Sequence, residues 1–84
     1  MLDVIAIDTP YITLGQLLKA LEYIQTGGQA KTYLMQYQVE LNGQPENRRG
    51  KKIYPGDKIH FLAEDRAFEI QGASENKLDD GNVS

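Results

Sequence analysis

Four cations crowd into five positions, Arg48, Arg49, Lys51 and Lys52, with Gly50 between them. Like charges at that density repel one another until solvent or an anion neutralises them, so the run is either a solubilising loop or a surface for phosphates. Across residues 26–61, six basic residues (Lys31, Arg48, Arg49, Lys51, Lys52, Lys58) outweigh three acidic ones (Glu40, Glu46, Asp57), in a chain whose total charge is −3. The basicity is therefore local, and affinity for a polyanion depends on where charges sit rather than on their sum. Arg48 and Arg49 carry planar forks suited to phosphate oxygens or base edges, while Lys51 and Lys52 act as mobile point charges. Phosphate binding is the chemistry expected of this run.

A second element of the same kind precedes it. Thr26-Gly27-Gly28-Gln29 has the Thr-x-x-Gln spacing of a capping box, which opens a helix, and the helix start carries Lys31. Unpaired backbone N–H groups at such a start, and glycines that let another backbone come close, make it a second place for a phosphate. The glycine spacing fits neither a dinucleotide fingerprint nor a P-loop. Of the five tyrosines, Tyr33 and Tyr37 fall on the apolar stripe of this helix and are expected in the core, which leaves Tyr54, beside the basic run, as the better candidate for stacking on a base. His60 is the single histidine, on an outward strand position, and there is no cysteine, so neither a metal site nor a triad assembles. No catalytic residue, cofactor or metal is expected.

The elements that position these groups are legible in part. Residues 4–7 (Val-Ile-Ala-Ile) make a first strand ended by Asp8-Thr9-Pro10. Thr13 and Gln16 cap a first helix over residues 13–23, with Leu14, Leu17, Leu18, Leu21 and Ile24 at three- and four-residue steps. Gly15 weakens its opening by roughly 1 kcal/mol relative to alanine. The second helix runs to residue 36 on an apolar face of Ala30, Tyr33, Leu34 and Tyr37. Val39-Glu40-Leu41 then meets Asn42-Gly43, a strong hairpin signal, and Pro45 sends the return strand to an edge. Pro55-Gly56 has the residues of a type II turn and leads into a core strand over 57–62, with Ile59 and Phe61 inward and Lys58 and His60 outward. Residues 68–70 are expected to add a short edge strand, and residues 72–84, small, polar and acidic, a disordered tail.

With 84 residues the chain suits one domain, since a chain this short buries only about 60% of its unfolded surface. The lack of cysteine fits a reducing compartment. No apolar run approaches the roughly 20 residues that span a bilayer, and the start lacks the pattern of a signal peptide, so a cytoplasmic protein is expected, without a membrane partner.

From residue 13 to 61 the order of helix, helix, hairpin and Gly-Asp strand resembles the RNA-binding domain named after small-subunit ribosomal protein four. Thr26, Ala30-Lys31, Val39-Glu40-Leu41-Asn42-Gly43 and Gly56-Asp57-Lys58-Ile59 occupy the places of that family's motif. The stand-alone YaaA-like branch is more similar still, through residues 12–19 (Ile-Thr-Leu-Gly-Gln-Leu-Leu-Lys), Thr26 to Lys31, Asn42-Gly43, and Arg48-Arg49-Gly50 with Lys52. Two departures stand out: Thr13 and Gly27 replace arginines common in the wider family, and Tyr37 stands where a glycine commonly ends the second helix. The first departure shifts the expected contact centre toward residues 48–52.

The expected fold is α+β, two N-terminal helices (the alpha-L motif) packed on a small, mainly antiparallel sheet with an extra N-terminal strand. One RNA-binding domain of this type would occupy residues 1–71. The resemblance implies cytoplasmic binding of structured RNA, ribosomal RNA first among them, and the protein is expected to be a non-catalytic monomer that recognises its RNA by backbone and shape, in ribosome assembly. Its expected contacts are Thr26, Gly27, Gly28, Gln29, Lys31, Asn42, Arg48, Arg49, Lys51 and Lys52. One rival is a protein adaptor whose basic loop meets an acidic partner. Another is a β-grasp sulfur carrier, weakened because the Gly-Gly here, Gly27-Gly28, is internal.

Overall fold

The computed structural model describes residues 2–72. In chain order it holds β1 (Leu2–Ile7), β2 (Ile12–Thr13), α1 (Leu14–Ala20), α2 (Gln29–Gln36), β3 (Val39–Leu41), β4 (Gln44–Pro45), β5 (Lys52–Ile53), β6 (Lys58–Phe61) and β7 (Arg66–Gly72). Five strands form one sheet in the order β1-β7-β6-β3-β4, and β2 pairs with β5 in a separate two-stranded sheet. Among the described residues β1 and β7 run parallel and the other pairings are antiparallel. The expected α+β architecture is therefore present.

Both helices bury their apolar stripes against one face of the large sheet. Leu14, Leu17 and Leu18 from α1, and Ala30, Tyr33 and Leu34 from α2, join Val39, Leu41, Ile59, Phe61, Phe68 and Ile70 from the strands in a single cluster. Apart from the Tyr33 hydroxyl, which donates to Glu64, no polar group of a side chain among the described residues is buried in it. Phe61 lies at its centre, fully buried and edge-on to both Tyr23 and Phe68. Burial pushes the Tyr33 hydroxyl above its ordinary pKa, with the Glu64 carboxylate adding to the shift, so it stays protonated at neutral pH.

Four local expectations change. The helix α1 stops at Ala20, not residue 23, because the chain closes it with a Schellman motif: Tyr23 N–H donates to Leu18 O and Glu22 N–H to Lys19 O, both at 3.0 Å. Helix α2 needs no terminal glycine, since Tyr37 leaves it directly in extended conformation (φ −125°, ψ 135°). Tyr37 is correspondingly 44% exposed rather than in the core. Residues 68–70 belong to β7, which is seven residues long and lies between β1 and β6 instead of at an edge. Gly72, expected in the tail, is the last residue of β7 and pairs with Ile7; the rest of that expected tail lies outside the described residues.

The Asn42-Gly43 turn has φ of 53° and 83°, the two left-handed residues of a type I′ hairpin, and joins β3 to β4 with Leu41 opposite Gln44. Gly56, at φ 100°, supplies the left-handed position of the type II turn before β6.

The Schellman residue itself is a glutamate in the left-handed region, Glu22 at φ 65°. Its Cβ strain outweighs the extra freedom a glycine has in the unfolded chain, so Glu22→Gly should stabilise the domain by about 0.5–1 kcal/mol in urea denaturation.

Candidate nucleic-acid interface

The cationic run is anchored by its backbone. Thr13 pairs with Lys52 and Ile12 with Ile53, which lays the end of the loop antiparallel to the strand that enters α1. The first N–H groups of α1 then donate to loop carbonyls, Leu14 N–H to Lys51 O at 2.9 Å and Gly15 N–H to Arg49 O at 2.8 Å. A helix start has four N–H groups without partners inside the helix, and these two find them in the loop. The capping box supplies a third: Gln16 N–H donates to Thr13 Oγ1 at 3.2 Å, while Thr13 N–H donates to Gln16 Oε1 at 2.9 Å.

Gly15 is the point of closest approach. A Cβ there would lie 3.3 Å from Arg49 O and 3.7 Å from the Ala30 Cβ, so the loop and the first turn of α2 meet on either side of this glycine. The helix-weakening residue is thus what lets the basic loop reach the helix pair. Arg49 becomes a neighbour of the turn that carries Lys31, though 18 positions separate them in sequence.

The charged side chains divide into two groups. Arg48 is held by Glu46, its Nε donating at 2.9 Å and one terminal nitrogen at 3.3 Å, and its backbone N–H donates to the same carboxylate at 3.1 Å. Glu46 is mostly covered and Arg48 mostly exposed. These hydrogen bonds hold the Glu46 carboxyl below its usual range and raise Arg48 further. Arg49, Lys51, Lys52 and Lys31, by contrast, make no ion pair among the described residues. Arg49, Lys52 and Lys31 are exposed and Lys51 is half-buried.

The start of α2 differs from the expected capped helix. Its N-cap is Gly28, without a side-chain cap, and the Thr26 hydroxyl makes no cap bond. Gln29 instead reaches back, its Oε1 accepting from the N–H groups of Gln25 at 2.6 Å and Thr26 at 3.1 Å. Gln29 N–H and Ala30 N–H donate to Thr26 O and Gly27 O. Four amides of this corner therefore have internal partners, which leaves fewer for a phosphate than the spacing promised. Gly27 and Gly28 are exposed, with no atom within 4 Å of where a Cβ would stand.

Asn42 lies in the hairpin with its side chain engaged internally. Its amide donates to Asp57 Oδ1 at 3.1 Å, and its Oδ1 accepts from Lys58 N–H at 2.9 Å. The other carboxylate oxygen of Asp57 accepts from Tyr54 N–H at 2.8 Å, so one acidic side chain ties the hairpin to the type II turn. Two neighbours of the loop escaped sequence reasoning. Tyr11, next to Ile12, stands 5.7 Å from Tyr54, ring centroid to centroid, and the Lys52 ammonium sits 4.9 Å from the Tyr11 centroid. Glu46, as the partner of Arg48, was the other. Two-residue spacing between Glu46 and Arg48 was a usable signal for the second; nothing in sequence brings Tyr11 to Tyr54.

The sequence of residues 5–71, which builds this helix pair and sheet, matches the model of a known family, the S4 domain. The chain belongs to the S4 domain family. It is also 51% identical, over 61 residues, to a protein of Bacillus subtilis (strain 168) named "Probable ribosome maturation protein RlbA", covering 73% of this chain and 86% of that one. No solved structure matches it with significance. Among the described residues, no helix is long and apolar enough to cross a membrane, and no cluster of His, Asp or Glu is placed to hold a metal.

A depressed carboxyl pKa adds stability that is complete above the unfolded-state value and lost as pH falls through the folded one. Carbon-detected NMR should therefore place the Glu46 titration midpoint below the ordinary 4.5, and Arg48→Ala should bring it back toward that value. In an amide hydrogen-exchange measurement on Gly15→Val, the displaced loop should show as faster exchange at Leu14 and at position 15.

Proposed function

We propose that this protein binds structured RNA of the ribosomal class, without catalysing a reaction, and acts in the maturation of ribosomes. Membership of the S4 domain family and likeness to a protein named for ribosome maturation support the class of partner. The observation that carries the mechanism is the docking of the Arg49 backbone on Gly15, which sets Arg49, without an ion pair among the described residues, beside the first turn of α2.

On this reading Arg49, Lys51 and Lys52 neutralise one stretch of phosphates and Lys31 its neighbour. Arg48, already paired with Glu46, presents its remaining donors in a fixed orientation and contributes position more than charge. Gly27 and Gly28 serve as an open floor. Neither has a left-handed φ and neither is crowded from within, so the fold itself makes no steric demand for glycine there, and an RNA backbone gains close access. Thr26 and Gln29 shape that corner, while Asn42 holds the hairpin beside it. The domain, residues 1–71, works as a monomer in the cytoplasm by shape and backbone contacts rather than base sequence.

Binding of this kind is governed by counterion release. With about three to five phosphates neutralised, a plot of log affinity for purified ribosomal RNA against log salt should fall with a slope of about −2 to −4. Arg49→Ala should make that slope shallower by about one and weaken binding at every salt concentration. Affinity that stays flat from low to moderate salt would count against the proposal.

A further inference from the structure

The aromatic pair beside the loop points beyond backbone contacts. Tyr11 and Tyr54 flank the β2–β5 ladder as the next pair after Ile12 and Ile53, so the same pairing that anchors the cations brings two rings together. They are tilted by 50° rather than closed face to face, and neither is absorbed by the core: Tyr11 is 36% and Tyr54 48% exposed. Lys52 leans its ammonium over the Tyr11 ring, which holds a positive charge at the platform instead of letting it swing free. Adjoining Tyr54 is an open hollow of about 430 Å³ lined by Arg48, Gly50, Lys51 and Lys52.

An exposed aromatic face with lysines around it is the combination that takes up an unpaired nucleotide. The ring stacks on the base, whichever base it is, and the cations hold the adjoining phosphates. We propose that Tyr54, supported by Tyr11, stacks on a single unpaired base of the RNA whose neighbouring phosphates are held by Lys51 and Lys52. The inference rests on the RNA-binding reading above and sharpens it: the preferred target is a helix interrupted by a bulged or looped-out nucleotide, not a continuous duplex. A base inside a duplex has its faces covered by its neighbours, so it offers no surface to Tyr54.

The test uses two synthetic RNAs, a short perfect duplex and the same duplex with one bulged uridine, and measures binding by fluorescence anisotropy at fixed salt. The native protein should prefer the bulged RNA. Tyr54→Ala should weaken binding to the bulged RNA by roughly five- to 150-fold and leave the duplex unaffected, whereas Tyr54→Phe should keep the preference. A photoreactive 4-thiouridine at the bulge should crosslink to the peptide containing Tyr54. Lys51→Ala with Lys52→Ala should weaken binding to both RNAs. Equal binding of the two RNAs by the native protein, or a Tyr54→Ala variant that retains the preference, overturns the stacking site while leaving RNA binding intact. Failure of the native protein to bind either RNA at low salt overturns both.

Discussion

Two hydrogen bonds, Leu14 N–H to Lys51 O and Gly15 N–H to Arg49 O, tie the most charged segment of the chain to the start of its first helix. A loop with cations at four of five positions has no apolar side chain with which to pack, so its backbone must provide the hold. The helix start is a natural partner, because its free N–H groups need acceptors and the Arg49 and Lys51 carbonyls need donors. One contact thus solves two problems. It caps α1, and it spends the loop's carbonyls inward, leaving Arg49 and Lys52 at the surface. The position of Arg49 beside α2 and the meeting of Tyr11 with Tyr54 both depend on this docking.

The remainder of the molecule supplies a rigid mount for that contact. Asn42 and Asp57, from the Asn-Gly and Gly-Asp signatures, bond to each other and to backbone groups across the hairpin and the following turn. Their energetic role is local, since exposed neutral and charge-assisted hydrogen bonds each contribute on the order of 1 kcal/mol. Their geometric role is larger. They fix where β5 ends and β6 begins, and β5 is the strand that carries Lys52 into its pairing with Thr13. Stability comes chiefly from the apolar cluster of both helices and the inner strands, which among the described residues buries no charged side chain and whose Tyr33 hydroxyl donates to Glu64. The charged surface therefore remains separate from the core that supports it.

Much of the fold was readable because it is signalled over short distances. The capping box of Thr13 and Gln16, the leucine stripe of α1, the type I′ signal of Asn42-Gly43 and the edge placement of Pro45 each involve residues within a few positions of one another, and each holds. The Thr26–Gln29 spacing is the instructive exception. It has the same residues at the same interval as the first capping box, yet only the glutamine half forms, because the chain enters α2 through Gly28 in helical conformation and not through an extended Thr26. Likewise β7 looked peripheral because its apolar content is small. Its inner place follows from pairing with β1, more than 60 residues away, and that partnership leaves no trace in the local pattern.

Composition and spacing alone determined that the chain is a small α+β domain, that its positive charge is concentrated in one loop, and that it holds no cysteine or histidine cluster for metal or nucleophilic chemistry. Those properties are sums or short-range patterns, which survive in any conformation. Tertiary structure decided how the cations divide, for Glu46 takes Arg48 while Arg49, Lys51 and Lys52 make no ion pair among the described residues. It also turned Gly15 from a weak point of a helix into the contact between loop and helix pair, and made two distant tyrosines neighbours. These outcomes depend on distances between segments far apart along the chain, which backbone pairing sets and local sequence does not encode.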